Sequence, residues 1–189
     1  MIYLASTSPR RKTLLRKAGI RFRVLRPDYE EKTIRKIPPA RLVQIHANKK
    51  AESCASQIKE GILLAADTLV YLKGEIIGKP KNMKEARLIL GKLRGRWHWV
   101  YTGAALFKIH SGRVVKKIFF VEKTKVRIKK LNSRQIKNYL SRIHPLDKAG
   151  AYAIQSAHGG IIQKVRGSVS NAVGLSVETL RRKLRSMDF

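Results

Sequence analysis

Gly61-Ile62-Leu63-Leu64-Ala65-Ala66 is an unbroken apolar run that ends at Asp67-Thr68. A run of this kind reads as a β-strand buried on both faces, the setting found where helices cover a parallel sheet. A carboxylate at the end of such a strand is costly unless it has partners. In α/β sheets the carboxyl ends of strands are also where ligands gather. Asp67 is therefore read as a functional acid ahead of a satisfied structural one.

The rest of the chain alternates strand and helix patterns. Ile2-Tyr3-Leu4 is a short strand, followed by an amphipathic helix that stops at Gly19; Arg21 to Leu25 forms a second strand. A helix from Pro38-Pro39 to about Gln57 carries its apolar face through Val43, Ala47, Ala51 and Cys54. Lys50 sits at the margin of that face and, taken alone, reads as a snorkelling side chain. After the apolar run and Leu69 to Leu72 comes a Lys73-Gly74 turn, and Glu75 to Pro80 is then a short strand leading into a turn. A helix starts at Asn82 and Glu85 and ends at Gly95. Long strands over His98 to Lys108 and Val114 to Leu131 meet at a Ser111-Gly112 hairpin. Ser133 caps a further helix, and Asp147 to Tyr152 is a loop. Ile161 to Val165 is a strand with Asn171 in the turn after it, and Ser176 caps a last helix. The expected class is α/β with a mixed sheet, organised as a single domain over residues 1–189.

Ala5-Ser6-Thr7-Ser8-Pro9-Arg10-Arg11 opens the first helix. Ser8 suits the N-cap and Pro9 the first helical position. Two arginines then stand in a first turn whose dipole already favours an anion. With the free N–H groups and the hydroxyls of Ser6, Thr7 and Ser8, they form a candidate phosphate cradle. The competing reading is an ordinary capped helix with solvated arginines.

Composition narrows the function classes. A hydrophobic share of 43% supports a globular core. No apolar run approaches the ~18 residues of a membrane span, and no signal peptide is evident. The single cysteine, Cys54, excludes an intrachain disulfide framework and a cysteine zinc cluster. The expectation is a soluble cytoplasmic protein. The charge is lopsided, with 42 Lys+Arg against 12 Asp+Glu and a formal net of +30. Such a chain attracts nucleic acid non-specifically at least, although its basic residues are dispersed and no zinc-finger or RNP motif is present. The five histidines lack metal spacing, and neither a Walker sequence nor a G-x-S-x-G elbow occurs.

What remains suits hydrolysis of a phosphoanhydride, which needs cations, a divalent metal and a carboxylate that orients or deprotonates water. Arg10, Arg11, Lys50 and Lys79 can supply the cations. Glu30 or Glu31, together with Asp67, can supply the oxygen ligands and the base.

In that arrangement the chain resembles the Maf-like nucleoside triphosphate pyrophosphatases over nearly its full length. The ordered pieces are Leu4-Ala5-Ser6-x-Ser8-Pro9-Arg10-Arg11, Asp28 to Glu31, Lys50-Ala51 and Ala66-Asp67-Thr68. Gly78-Lys79-Pro80, Val100 to Gly103, Asp147 to Tyr152, Ile154-Gln155, Gly167-Ser168, Asn171 and Val173 to Leu175 follow. The resemblance implies two lobes around a cleft in an inosine triphosphatase-like fold, a homodimer, and magnesium- or manganese-dependent release of pyrophosphate from a nucleoside triphosphate. It implies that Asp67 activates water and that Glu31, with Asp67, holds the metal. Ser6, Ser8, Arg11, Lys50 and Lys79 would bind phosphates, and Arg10, Thr68 and Gln155 would set substrate choice. Asp67-Thr68 with Gly150 to Gln155 resembles the dTTP/UTP branch; the alternative is the sister branch acting on 7-methyl-GTP or other modified nucleotides. A different class, a nucleic-acid-binding protein on the same scaffold, is motivated by the charge. Trp97 and Trp99, Ala153, Ser156-Ala157-His158 and Gly174-Leu175-Ser176 depart from the family pattern.

Overall fold

The computed structural model describes residues 1–31, 37–154 and 160–187. Within them the elements run β1 (Ile2–Ala5), α1 (Pro9–Lys17), β2 (Phe22–Leu25), α2 (Pro39–Ala55), β3 (Gly61–Leu72), β4 (Glu75–Ile77) and α3 (Met83–Leu93). They continue β5 (Trp97–His110), β6 (Arg113–Ile128), α4 (Ser133–Leu140), β7 (Ile162–Arg166), α5 (Val169–Val173) and α6 (Val177–Arg185). The α/β class is thus as expected. The strands form a seven-stranded sheet in the order β2-β1-β3-β5-β6-β7, with β4 paired to β3. β1 is parallel to β2 and β3, whereas the β3–β4 and β6–β7 pairs are antiparallel, so the sheet is mixed.

The chain divides into two compact units. The first comprises Met1–Thr68, Thr102–Glu122 and Gly174–Phe189. Period-two alternation in β3 gives it two cores. Leu63 and Ala65 face α2 and pack with Ala47, Ala51, Cys54 and Phe107. Leu64 and Ala66 face the other way, onto Leu15 of α1 and onto Leu175 and Leu180. β5 passes so close to α2 that a Cβ at Gly103 would stand 2.6 Å from the carbonyl carbon of Val43 and 2.7 Å from its oxygen. Backbone cannot yield as a flexible side chain can. Gly103→Ala is expected to cost about 1–3 kcal/mol in urea unfolding. Gly91→Ala, in the open on α3, is expected to gain up to about 1 kcal/mol instead.

The second unit comprises Leu69–Tyr101 and Lys123–Val173. Its core gathers Val70, Ile77, Leu90, Leu93, Val100, Val126, Ile128, Ile136 and Tyr139. His98 is buried here, its Nε2 2.6 Å from the Tyr152 hydroxyl. Burial holds the imidazole down at about 4 against an ordinary 6.5, opposed by the Arg96 backbone. The unfolded chain therefore takes up a proton first as pH falls. The stability that neutral His98 provides is complete above about 6.5 and drains away between 6.5 and about 4. A loss of about 3 kcal/mol across that window is expected, and His98→Asn should flatten that slope in denaturant titrations.

Several local expectations are corrected. β3 does not end at Asp67-Thr68 but continues to Leu72, because Val70, Tyr71 and Leu72 pair with β4 through the Lys73-Gly74 turn. Asp67 is consequently an interior strand residue. Ser8 occupies the N-cap of α1 without a side-chain bond to the helix. Asn132, not Ser133, caps α4, in a reciprocal capping box with Gln135. The segment Asp147 to Tyr152 is largely two short 3₁₀ turns, Pro145–Asp147 and Ala149–Ala151. Asn171 lies in α5 rather than in a turn. No helix among the described residues is long and apolar enough to cross a membrane.

Candidate active site

Alternation along β3 continues past the cores and decides what its polar residues meet. Asp67 follows Leu63 and Ala65 onto the α2 face. Lys50 lies one helical turn beyond Ala47 on the same helix face, and the two meet with Lys50 Nζ donating to Asp67 Oδ1 at 2.7 Å. Both residues are 5% exposed. The same ammonium donates to Glu31 Oε1 at 2.5 Å. Lys50 therefore does not snorkel. It is buried because the two carboxylates compensate the loss of water, as a buried charge requires.

Glu31 reaches this point from the loop after β2, and the loop is tied to α2 one turn earlier. The Tyr29 hydroxyl lies 2.8 Å from His46 Nδ1. Burial raises the phenol's pKa first, and the negative charges of Asp67 and Glu31 raise it further. Tyr29 and His46 thus anchor the acidic loop beside the carboxylate pair.

Thr68 follows Leu64 and Ala66 onto the opposite face, where α1 brings Arg11. The Arg11 guanidinium is buried and donates from Nε to the Gly174 carbonyl at 2.9 Å, from Nη1 to Ser6 Oγ at 3.2 Å and from Nη2 to Thr68 Oγ1 at 3.0 Å. All three acceptors are neutral. A guanidinium carries five N–H donors, so these bonds leave donors of Arg11 unmatched among the described residues. Burial lowers its pKa, an effect that Asp67 and Glu31 oppose and neighbouring Arg10 reinforces. Ser6 Oγ also accepts from the Ser8 amide at 3.2 Å, and Thr68 Oγ1 lies 2.9 Å from the Thr102 hydroxyl. Ser6, Thr68 and Gly174 therefore fix the plane of Arg11.

Comparison with known proteins bears directly on this geometry. A sequence profile described as Maf-like protein matches residues 1–187. The chain belongs to the Maf-like proteins. A protein of Carboxydothermus hydrogenoformans named dTTP/UTP pyrophosphatase is 42% identical over 188 residues, covering 100% of this chain and 99% of the relative. One of the same name from Dictyoglomus thermophilum is 38% identical over 189 residues, covering 100% and 96%. Another from Citrifermentans bemidjiense is 44% identical over 175 residues, covering 92% and 89%. Among solved structures, a nucleoside-triphosphatase / dITP/XTP pyrophosphatase from Mycobacterium abscessus aligns with 99% of this chain and 95% of its own at 14% identity, with a TM-score of 0.42.

In this Maf-like chain Ser6, Arg11, Glu31, Lys50, Asp67 and Thr68 come together in two linked clusters of the first unit, with Ser8 and Arg10 beside them in the α1 turn. Lys79 lies in the second unit, exposed in the segment after β4. Gln155 lies outside the described residues. Among the described residues, no group of three or more His, Cys, Asp and Glu side chains is placed to hold a metal. The pair Glu31 and Asp67 nevertheless suits a hard divalent cation, because magnesium is commonly held by one or two carboxylates and completes its shell with phosphate oxygens and water. Both carboxylates already converge on a cation, that of Lys50.

Gly174, Thr102 and Tyr29 entered the sequence reading only as members of quoted motifs and His46 only among the histidines, and none was given a role at the site. Gly174 is 163 residues from Arg11, and no local pattern connects them. Its φ of 137° is a conformation that favours glycine, and the Val173-Gly174-Leu175 motif was its one signal in the sequence.

Proposed function

We propose that this Maf-like protein hydrolyses dTTP and UTP to the nucleoside monophosphate and pyrophosphate. The observation that carries this reading is the convergence of Asp67 and Glu31 on the buried Lys50 ammonium. The names of its relatives support the same reaction. Arg11, held in place by Ser6, Thr68 and Gly174, offers its remaining N–H donors to a phosphate oxygen without having to reorganise. Ser8 at the start of α1 adds a hydroxyl beside the dipole.

Water adds to a phosphorus of the α–β anhydride and gives its proton to Asp67. The bridging P–O bond breaks, and its electron pair leaves with the product on the far side of the attacked phosphorus. Lys50, donating to Oδ1, holds the Asp67 carboxylate in place while it waits. Asp67 and Glu31 would hold magnesium or manganese, which when bound offsets charge on the phosphate oxygens. Arg10, Thr68 and Gln155 carry base choice in this proposal, all three on the resemblance alone.

A panel of dTTP, UTP, CTP, GTP and 7-methyl-GTP with magnesium or manganese, scored by pyrophosphate release, tests it. The expected result is kcat/KM for dTTP and UTP about tenfold or more above the rest, a margin that contacts to base edges readily supply. Preference for 7-methyl-GTP would move the protein to the sister branch, and release from none of them would overturn the reading.

A further inference from the structure

One face of the second unit carries chemistry that the pyrophosphatase reading does not use. Trp97 and Trp99 alternate on β5 with buried His98 and Val100, so both rings stand on the face turned away from the core. On neighbouring β6, Lys123, Lys125 and Arg127 alternate with buried Thr124, Val126 and Ile128. On β7, Arg166 is in register with Lys125, and Lys164 with Arg127.

The cations lie over the rings. Lys123 Nζ is 5.0 Å from the Trp99 ring centroid, and Lys125 Nζ is 5.3 Å from Trp99 and 5.6 Å from Trp97. The Arg166 and Arg127 guanidiniums are 5.0 and 6.0 Å from Trp97. Among the described residues, none of Lys123, Lys125, Arg127, Lys164 or Arg166 forms an ion pair with a carboxylate. Two half-buried tryptophans and five uncompensated cations thus share a three-stranded surface.

We infer that this β5–β6–β7 face binds single-stranded nucleic acid. Aromatic rings interleaved with cations on a sheet are what stacked bases and a phosphate backbone require. Trp97 and Trp99 are about 7 Å apart along the strand, against about 3.4 Å per nucleotide of one strand in a stacked duplex. Bases must be splayed to lie on both rings, which a single strand allows and a duplex resists. The surface uses no residue of the Lys50 cluster. RNA and single-stranded DNA share this chemistry, and the experiment separates them.

The full chain is titrated at 150 mM salt (about physiological) into fluorescein-labelled mixed-sequence 20-mers of RNA, single-stranded DNA and duplex DNA, with anisotropy and tryptophan emission read together. Expected is tighter binding to a single strand than to the duplex, with quenching of tryptophan emission. Trp97→Ala with Trp99→Ala should weaken it about 30-fold or more, two rings at the lower end of the stacking range. Lys125→Gln with Arg166→Gln, which keeps both rings, should reduce the slope of log affinity against log salt by about 0.7 per cation. Arg134→Gln with Lys137→Gln on α4 should leave it unchanged.

Equal affinity for duplex and single strand, or equal slopes in the two charge variants, would reduce the effect to general attraction by the +30 charge and overturn the inference. So would tryptophan quenching by phosphatidylserine vesicles without any single-strand binding. The RNA and DNA arms then state which strand is preferred.

Discussion

Asp67→Asn is expected to lower the rate of pyrophosphate release from UTP by at least about a thousandfold, within the range lost with a general base. The substitution keeps shape and an acceptor oxygen for Lys50, 2.7 Å away in the native chain, and removes only the charge and basicity. Glu31 continues to compensate the ammonium. The fold should therefore survive: circular dichroism unchanged and unfolding free energy lower by no more than about 1–3 kcal/mol, the worth of a charge-assisted hydrogen bond. Loss of activity in a folded protein places the chemistry on this carboxylate. Activity within tenfold of wild type would remove Asp67 from the reaction.

Lys50→Met is the second large effect, and it separates stability from chemistry differently. Methionine has similar length and no charge, so the buried space that the Lys50 side chain fills stays occupied. What disappears is the cation shared by Glu31 and Asp67, the latter almost fully buried. Breaking a buried pair by removing one partner costs about 3–5 kcal/mol, and denaturant unfolding should show a loss of that order. The two carboxylates then form a cation site with no resident cation. Magnesium or manganese should raise the melting temperature of Lys50→Met by more than it raises that of wild type, since an ion that binds only the folded state stabilises it. Equal shifts in the two proteins would show that Glu31 and Asp67 do not hold the metal. Lys50→Arg provides the intermediate case, a charge kept in a different shape.

The order of most elements was readable because a helix or strand of sufficient length advertises its own period, whereas the five-residue α5 read as a turn. Leu63, Ala65 and Asp67 on one face of β3, with Leu64, Ala66 and Thr68 on the other, follow from alternation alone. Alternation does not say what waits on each face. The apolar margin position of Lys50 predicted snorkelling, and the structure instead turns it inward, because the carboxylates that compensate it lie on a loop and a strand remote in sequence. The same holds for Gly174 and Arg11, 163 residues apart. The placement of Asp67 at a strand end failed for a similar reason: Leu69 to Leu72 read as a separate element until pairing with β4 joined them to the run before. Caps were legible to within a residue, since Asn132 and Ser133 are both competent and only the reciprocal bond with Gln135 chooses between them. The chemistry of phosphoanhydride hydrolysis put Asp67 with Glu30 or Glu31, and resemblance chose Glu31.

The most direct test of the account is the identity of the products. Purified protein is incubated with UTP and magnesium in ¹⁸O-labelled water, and the mixture is followed by ³¹P NMR and mass spectrometry beside Asp67→Asn. The account predicts UMP and pyrophosphate, formed by the wild type with one labelled oxygen between them and not formed by the variant. UDP with inorganic phosphate, or the same products at the same rate from Asp67→Asn, would contradict it.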